Sequence, residues 1–212
     1  MKIKQKYIQV FVAILLVSVS CAKPERDELD VNTPSGLLFT LMKSGSYCTK
    51  LRTITSPVID GSPSEYTAED KIFTDAAGDS TGPAGTDLKD LYIANDGVGN
   101  FLFHFVTDNV LPNNYQMNWN FDSNYNLSVF ADAAGVHTWK AEYWPNQNCI
   151  NQTTNIAYDG TGNVEVKIPY SCLQITPPVT IQMNHLNTWR IYQTYGTDFD
   201  TFTFTGCIQV EK

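Results

Sequence analysis

Apolar and polar residues alternate along most of the chain after residue 90, and this period of two is typical of β-strands. The alternation is clearest in segments 101–106, 115–121, 164–168 and 201–205. Segment 101–106 is apolar on both faces, which predicts a central strand with both faces buried. We predict further strands at 91–95, 127–131, 136–143, 179–184 and 189–194.

Clusters of Gly, Asn, Asp and Pro separate the predicted strands, as turns require. The clusters occupy residues 96–100, 111–114, 159–163 and 177–178. No long segment with a helical period of 3.6 follows the first 20 residues. Many short strands at this spacing predict an all-β fold, namely an antiparallel β-sandwich of the two-sheet jelly-roll or immunoglobulin-like kind.

The first 20 residues have the organisation of a secretion signal. Lys2, Lys4 and Lys6 provide a positive charge, and a mainly apolar stretch follows over residues 7–19. Ser20 is a small residue directly before Cys21. The stretch is too short for a transmembrane helix, so we interpret it as a cleaved signal peptide.

The residues before Cys21 resemble the lipobox of bacterial lipoproteins, those of spirochaetes in particular, with Ser18 where leucine is usual. The resemblance implies cleavage before Cys21, a lipid on its sulfur, and attachment to the bacterial outer membrane. The anchored protein would lie on the cell surface or face the periplasm. The alternative is an ordinary secretory signal. We therefore divide the chain into a signal (1–20), a lipidated tether with an irregular segment (21–56) and a β-sandwich domain (57–212).

Charge excludes one class of partner. The chain has 14 basic and 22 acidic residues, and removal of the signal leaves 11 basic residues and a formal charge of −11. Nucleic-acid binding needs basic residues that neutralise phosphates, so we expect no nucleic-acid partner. For the same reason, membrane attachment would come from the lipid rather than from charge.

The cysteine count predicts disulfides. If Cys21 carries a lipid, four cysteines remain, and an even number in an exported chain indicates two disulfides. Three pairings are compatible with the sequence. We favour Cys48 with Cys207, which would tie the irregular segment to the last strand, and Cys149 with Cys172, which would join a loop to a strand end.

Several motifs in order resemble the family 9 carbohydrate-binding modules and their DOMON-like relatives, with Tyr66 where the family usually has Trp. This resemblance covers roughly residues 57–207, and it implies a β-sandwich and a carbohydrate ligand. The motifs are Val58-Ile59-Asp60-Gly61 with Glu65-Tyr66, Asp75-Ala76-Ala77-Gly78-Asp79, Thr86-Asp87-Leu88 through Asn95-Asp96, Phe101-Leu102-Phe103-His104-Phe105 and Val164-Glu165-Val166-Lys167-Ile168-Pro169.

Sugar binding needs exposed aromatic rings, on which the apolar face of a pyranose stacks, and polar groups that bind its hydroxyls. Trp144 follows a predicted strand and precedes a polar turn, so it is the best exposed candidate. Trp119 shares a strand face with apolar residues, and we expect it in the core. The predicted ligand-binding residues are Trp144, Tyr143, Gln147 and Trp139, with Asn118 and Asn120 as further polar partners.

Four acidic residues form a candidate calcium site, because Ca²⁺ prefers several hard oxygen ligands at one place. They are Asp75, Asp79, Asp87 and Asp90, and the resemblance also implies Ca²⁺ in this region. The alternative is that Asp75 and Asp79 form solvated Asx-turns.

Catalytic motifs are not found, and we expect neither enzymatic activity nor haem. The glutamates are scattered rather than paired, and no haem-attachment motif is present. The sequence therefore predicts a non-catalytic envelope protein whose β-sandwich binds an extracellular ligand, carbohydrate above all. The alternatives are a surface adhesin for host or matrix proteins and a structural envelope lipoprotein.

Overall fold

The computed structural model describes residues 48–121, 124–190 and 199–211; within these, the side chains of 147–148, 184–185, 187–190 and 205 are not described. The predicted signal, the tether and Cys21 lie outside the described residues. The compact unit begins at Cys48, so residues 48–56, assigned above to the irregular segment, belong to the folded domain. Within the described ranges, no helix is both long and apolar enough to cross a membrane.

Two sheets form an all-β sandwich, as the alternation predicts. A seven-stranded sheet has the order β1-β12-β11-β5-β6-β7-β8, and a five-stranded sheet has the order β2-β3-β4-β10-β9. Neighbouring strands are antiparallel except β1 and β12, which are parallel. The first sheet contains β1 (Cys48–Lys50), β5 (Tyr115–Phe121), β6 (Tyr125–Ala131), β7 (His137–Tyr143), β8 (Asn146–Gln152), β11 (Val179–Arg190) and β12 (Asp200–Val210). The second contains β2 (Lys71–Thr74), β3 (Leu88–Asn95), β4 (Asn100–Thr107), β9 (Ile156–Tyr158) and β10 (Asn163–Pro169), and two 3₁₀ turns lie at Pro63–Glu65 and Tyr170–Leu173.

The core lies between the sheets and is rich in aromatic rings. Phe101, Phe103 and Phe105 of β4 are at most 1% exposed, and the Phe103 ring meets that of Trp119 edge-on at 5.1 Å. Trp119 is therefore a core residue, as predicted. The other face of β4 is buried too, because residues 51–70 cover it with a second cluster that includes Ile54 and Tyr66.

The strand pattern of the sequence differs from the structure in two respects. The strands predicted at 179–184 and 189–194 are one continuous strand through Arg190, with a register shift between Met183 and His185. The shift breaks the period of two, which is why the sequence looks like two strands. The strands β1, β2 and β9 were not predicted, because three or four residues are too few to show an alternation. The seven-residue strand β8 was not predicted because it is mainly polar.

Both disulfides have the pairing that we favoured from the sequence. Cys48–Cys207 joins β1 to its parallel neighbour β12. Cys149–Cys172 joins β8, at the edge of the seven-stranded sheet, to the 3₁₀ turn that follows β10. The first disulfide fixes the beginning of the domain to its last strand.

Candidate functional site

Trp144 is the most exposed of the aromatic residues predicted to bind ligand. It lies in the turn between β7 and β8 and is 65% exposed. Its backbone N–H donates to Asn124 O at 2.8 Å, so the β6–β7 ladder continues one residue beyond the strand. Strand alternation therefore places Trp144 on the same side of the sheet as Glu142, the side that faces away from the core.

Tyr143 is half-buried, on the core side of the same strand end. Its ring lies 5.1 Å from that of Tyr125, which in turn stacks at 5.2 Å on Phe121. These rings connect the interior to the surface beside Trp144 and give the strand end a rigid base. The side chain of Gln147 lies outside the described residues.

Trp139, also predicted to bind ligand, is a core residue, and this prediction is wrong. It is 2% exposed, and its indole N–H donates to Thr154 O at 2.7 Å. Strand β7 alternates, so Trp139 points inward while its neighbours Thr138 and Lys140 point outward. The sequence does not show this, because both faces of β7 carry large side chains.

Carboxylates gather where the predicted calcium ligands lie. Asp75, Asp79 and Asp200 each offer an oxygen, and these oxygens lie within 4.8 Å of one another. Asp75 Oδ2 is buried and has no hydrogen-bond partner in the described part of the chain. Asp200 was not predicted, because it comes from the start of β12, far from the other ligands in sequence.

The electrostatics of this cluster favour a bound cation. Burial, and then the charges of Asp75, Asp79 and Asp87, raise the pKa of Asp200 to about 6. Burial and nearby Asp79 and Asp87 also raise the pKa of Asp75. Repulsion between these carboxylates, of which Asp200 is buried and Asp79 exposed, destabilises the fold, and a divalent cation would remove it.

The other two predicted metal ligands are engaged otherwise. Asp87 is buried beside the cluster, where its carboxylate accepts hydrogen bonds from Gly78 N at 2.7 Å and Ser80 N at 3.4 Å. It therefore shapes the loop that carries Asp79. Asp90 pairs with Lys71 at 3.0 Å and is not part of the oxygen cluster, so the prediction of Asp90 as a ligand is wrong.

A second acidic group lies beneath residues 51–70 on the five-stranded sheet. Glu165 is fully buried and accepts hydrogen bonds from the Tyr66 hydroxyl at 3.1 Å and from Asp60 N at 3.1 Å. Gly61 N donates to the same oxygen as Asp60 N. Gly61 has φ of +83°, and a Cβ there would lie 2.8 Å from Tyr158 Cα, so the close approach requires glycine.

The pKa of Glu165 is raised to about 7 by its burial and then by the charge of Glu65. A carboxyl group with such a pKa can serve as a general acid. Glu165, however, has no exposed surface, and the loop around Tyr66 covers it. Its hydrogen bonds hold that loop on the sheet, so we assign Glu165 a structural role.

A cavity of about 290 Å³ opens at one end of the sandwich. Its polar walls include Lys50 and Glu211, which form an ion pair at 2.7 Å, and Asn95, which is bonded to Leu51 O and Thr53. These groups satisfy one another, so the cavity offers a ligand little specific chemistry. The exposed tryptophan and the carboxylate cluster remain the candidate sites. No protein-family model matches this chain, nor does any curated protein or solved structure.

Proposed function

We propose that this protein is an exported, lipid-anchored binding protein without catalytic activity, and that its β-sandwich binds carbohydrate. The observation that carries the proposal is the exposed ring of Trp144 beside a polar sheet face. An aromatic ring that is 65% exposed contributes little to the core of the fold. It offers the flat apolar surface on which a sugar ring stacks.

The experiment is a binding titration of the mature protein with a glycan panel that we define as cellotetraose, chitotetraose and N-acetyllactosamine. These represent plant, microbial and mucin glycans. Binding of at least one member supports the proposal. A rival function is adhesion to a host or matrix protein through loop tips such as Val98, which is 84% exposed. Capture of a host or matrix protein, together with no binding of any of the three glycans, would favour adhesion.

The lipid anchor is a separate prediction. Wild-type protein expressed in a bacterial host should incorporate labelled palmitate, and Cys21→Ala should not, because its thiol is the proposed attachment point. Globomycin, which blocks the lipoprotein signal peptidase, should cause the uncleaved form to accumulate. Label on both forms, or on neither, would contradict lipidation at Cys21. Protease treatment of intact cells then distinguishes the cell surface from the periplasm.

Calcium stabilisation is a further prediction. Ca²⁺ fits the carboxylate cluster, and we propose Asp75, Asp79 and Asp200 as its ligands. At about 100 times its dissociation constant, Ca²⁺ should stabilise the fold by about 2.7 kcal/mol, or about 5–10 °C in melting temperature for a domain of this size. The measurement is a thermal melt in Ca²⁺ and in chelator.

Asp79→Asn is the variant for the calcium test, because it removes an exposed ligand without disturbing the core. It should reduce the shift caused by Ca²⁺. Asp90→Asn is the matched control, since Asp90 pairs with Lys71 outside the cluster. Equal melting temperatures of the wild type in Ca²⁺ and in chelator would exclude a structural calcium site.

A further inference from the structure

The outer side of β5, β6 and β7 carries a compact set of polar side chains that we call the amide face. Its members lie in two rows across the three strands, as the register shows: Asn118, Ser128 and Lys140 in one row, and Asn120, Asn126 and Glu142 in the other. The inner side of the same strands carries the apolar core. Outward polar residues of a sandwich are usually exposed, but Asn118, Ser128 and Glu142 are 2%, 0% and 9% exposed.

A hydrogen-bond network holds the amide of Asn118 in one orientation. Its Oδ1 accepts from Asn126 Nδ2 at 2.8 Å and from Ser128 Oγ at 2.6 Å. Asn126 Nδ2 also donates to Asn120 Oδ1 at 2.8 Å. The network saturates Asn118 Oδ1 and directs Asn118 Nδ2 away from it. Asn118 Nδ2 is buried without a hydrogen-bond partner among the residues that the structure describes.

Glu142 is the second member with an unused polar atom. Its Oε1 forms an ion pair with Lys140 Nζ at 3.4 Å, and its Oε2 is buried with no hydrogen-bond partner in the described ranges. Lys140 Nζ also lies 5.9 Å from the centre of the Phe130 ring. A carboxylate can accept about four hydrogen bonds, so Glu142 Oε2 retains unused acceptor capacity.

Unused buried donors and acceptors destabilise a fold. The amide face therefore retains a donor on β5 and an acceptor on β7. Neighbouring strands are about 4.8 Å apart, so these two groups approach from strands about 10 Å apart. A ring that bears several hydroxyls offers an oxygen that can accept from Asn118 and a hydrogen that can be donated to Glu142.

We infer that the amide face is the subsite that reads the hydroxyl groups of one sugar ring, with Asn118 Nδ2 as donor and Glu142 Oε2 as acceptor. This inference rests on the proposed carbohydrate function and adds the residues that recognise the sugar. A hydroxyl group both donates and accepts, so a polyhydroxylated ligand matches the pair of unused groups. Asn118, noted in the sequence as a polar partner, has this role through its amide hydrogens.

The surroundings of the amide face complete the site. Trp144 lies two residues beyond Glu142 on the same side of β7, where its ring can stack on a neighbouring sugar unit. Lys140 crosses from Glu142 towards Phe130, and it is half-buried. Its long unbranched side chain can move aside at small cost, which exposes Glu142 to a ligand.

Two isosteric variants test the inference. Asn118→Asp retains the Oδ1 acceptor and removes the unused donor, and Glu142→Gln replaces the unused acceptor with a donor. Each should weaken binding of the glycan panel about tenfold or more, because the variant leaves a ligand hydroxyl unpaired. Asn113→Asp and Glu211→Gln make the same chemical changes at exposed positions and should bind as the wild type does. Circular dichroism and a thermal melt confirm folding, and Glu142→Gln suffices if Asn118→Asp does not fold.

A spectroscopic readout separates recognition from a structural effect. In a ¹⁵N–¹H spectrum, the side-chain NH₂ signal of Asn118, identified by its loss in Asn118→Asp, should shift when a bound panel member is added. If the wild type binds a glycan but both variants bind equally well and this signal does not move, the amide face is not the subsite and the proposed function stands. If the wild type binds no member of the panel, the proposed function and this inference fail together.

Discussion

Replacing Trp144 with alanine should weaken glycan binding by about 10- to 100-fold and leave the stability of the domain almost unchanged. A stacked aromatic ring at the centre of a binding surface contributes about 1.4–2.8 kcal/mol, which corresponds to this range. The side chain is 65% exposed, so its removal opens no cavity. The unfolding free energy should change by less than about 0.5 kcal/mol. Isothermal titration and urea unfolding measure the two effects.

The matched control for Trp144→Ala is Tyr158→Ala. Tyr158 is another exposed aromatic residue, 42% exposed, on β9 of the other sheet. Its ring is tilted against that of His137, with the centroids 4.0 Å apart, and it lies on the opposite sheet from the amide face. Its removal should leave glycan affinity unchanged. Equal losses in both variants would indicate nonspecific adhesion to aromatic surface, and no loss in Trp144→Ala would remove this residue from the site.

Stability should fall as the pH rises from about 4.5 to 7, and Glu165 should be the largest single cause. The pKa of this buried carboxyl rises from 4.5 to about 7 on folding. Below pH 4.5 the carboxyl group is protonated in both the folded and the unfolded state, so its contribution to the unfolding free energy is fully present. Between these values the folded state binds the extra proton, and the unfolding free energy decreases by about 1.4 kcal/mol per pH unit. The total is about 3 kcal/mol.

Glu165→Gln should remove this pH dependence. The glutamine oxygen can accept the hydrogen bonds of Asp60 N and Gly61 N, and its amide can donate to the Tyr66 oxygen, without a charge to bury. The difference in unfolding free energy between wild type and variant should therefore increase in favour of the variant from pH 4.5 to 7. Urea unfolding at several pH values measures it, with circular dichroism as the probe.

The comparison with a variant isolates Glu165 from other titrating groups. Asp200, whose pKa burial and neighbouring aspartates raise to about 6, adds the same pH dependence to the wild type and to Glu165→Gln. Its contribution therefore cancels in the difference between their unfolding free energies. Glu211→Gln, which removes an exposed carboxylate, is the control and should keep the wild-type slope. Parallel curves for wild type and Glu165→Gln would show that Glu165 is not the buried titrating group.

The sandwich could be predicted from the sequence because the alternation of apolar and polar residues indicates which residues face the core. Segment 101–106 is apolar on both faces, and its strand is central and covered on both sides. The Gly-rich turns at 96–100 and 159–163 connect β3 to β4 and β9 to β10. Local patterns were enough for these elements because adjacent residues specify them.

The sites were only partly predictable because they join distant residues. Asp200 contributes to the carboxylate cluster from the last strand, and no local motif marks it. Asn118 and Glu142 belong to different strands, and only the register brings them to one face. Glu165 and Tyr66 come from two of the quoted motifs, yet their contact at 3.1 Å depends on how the loop folds over the sheet. The spacing of residues along the sequence does not show which of these side chains lie close together in the fold.

The most direct test of carbohydrate binding is calorimetric titration of the mature wild-type protein with cellotetraose, chitotetraose and N-acetyllactosamine, beside Trp144→Ala. We expect saturable binding of at least one glycan by the wild type and a loss of about tenfold or more in the variant. Absence of binding to all three, with the protein folded and its two disulfides formed, would contradict the proposed function.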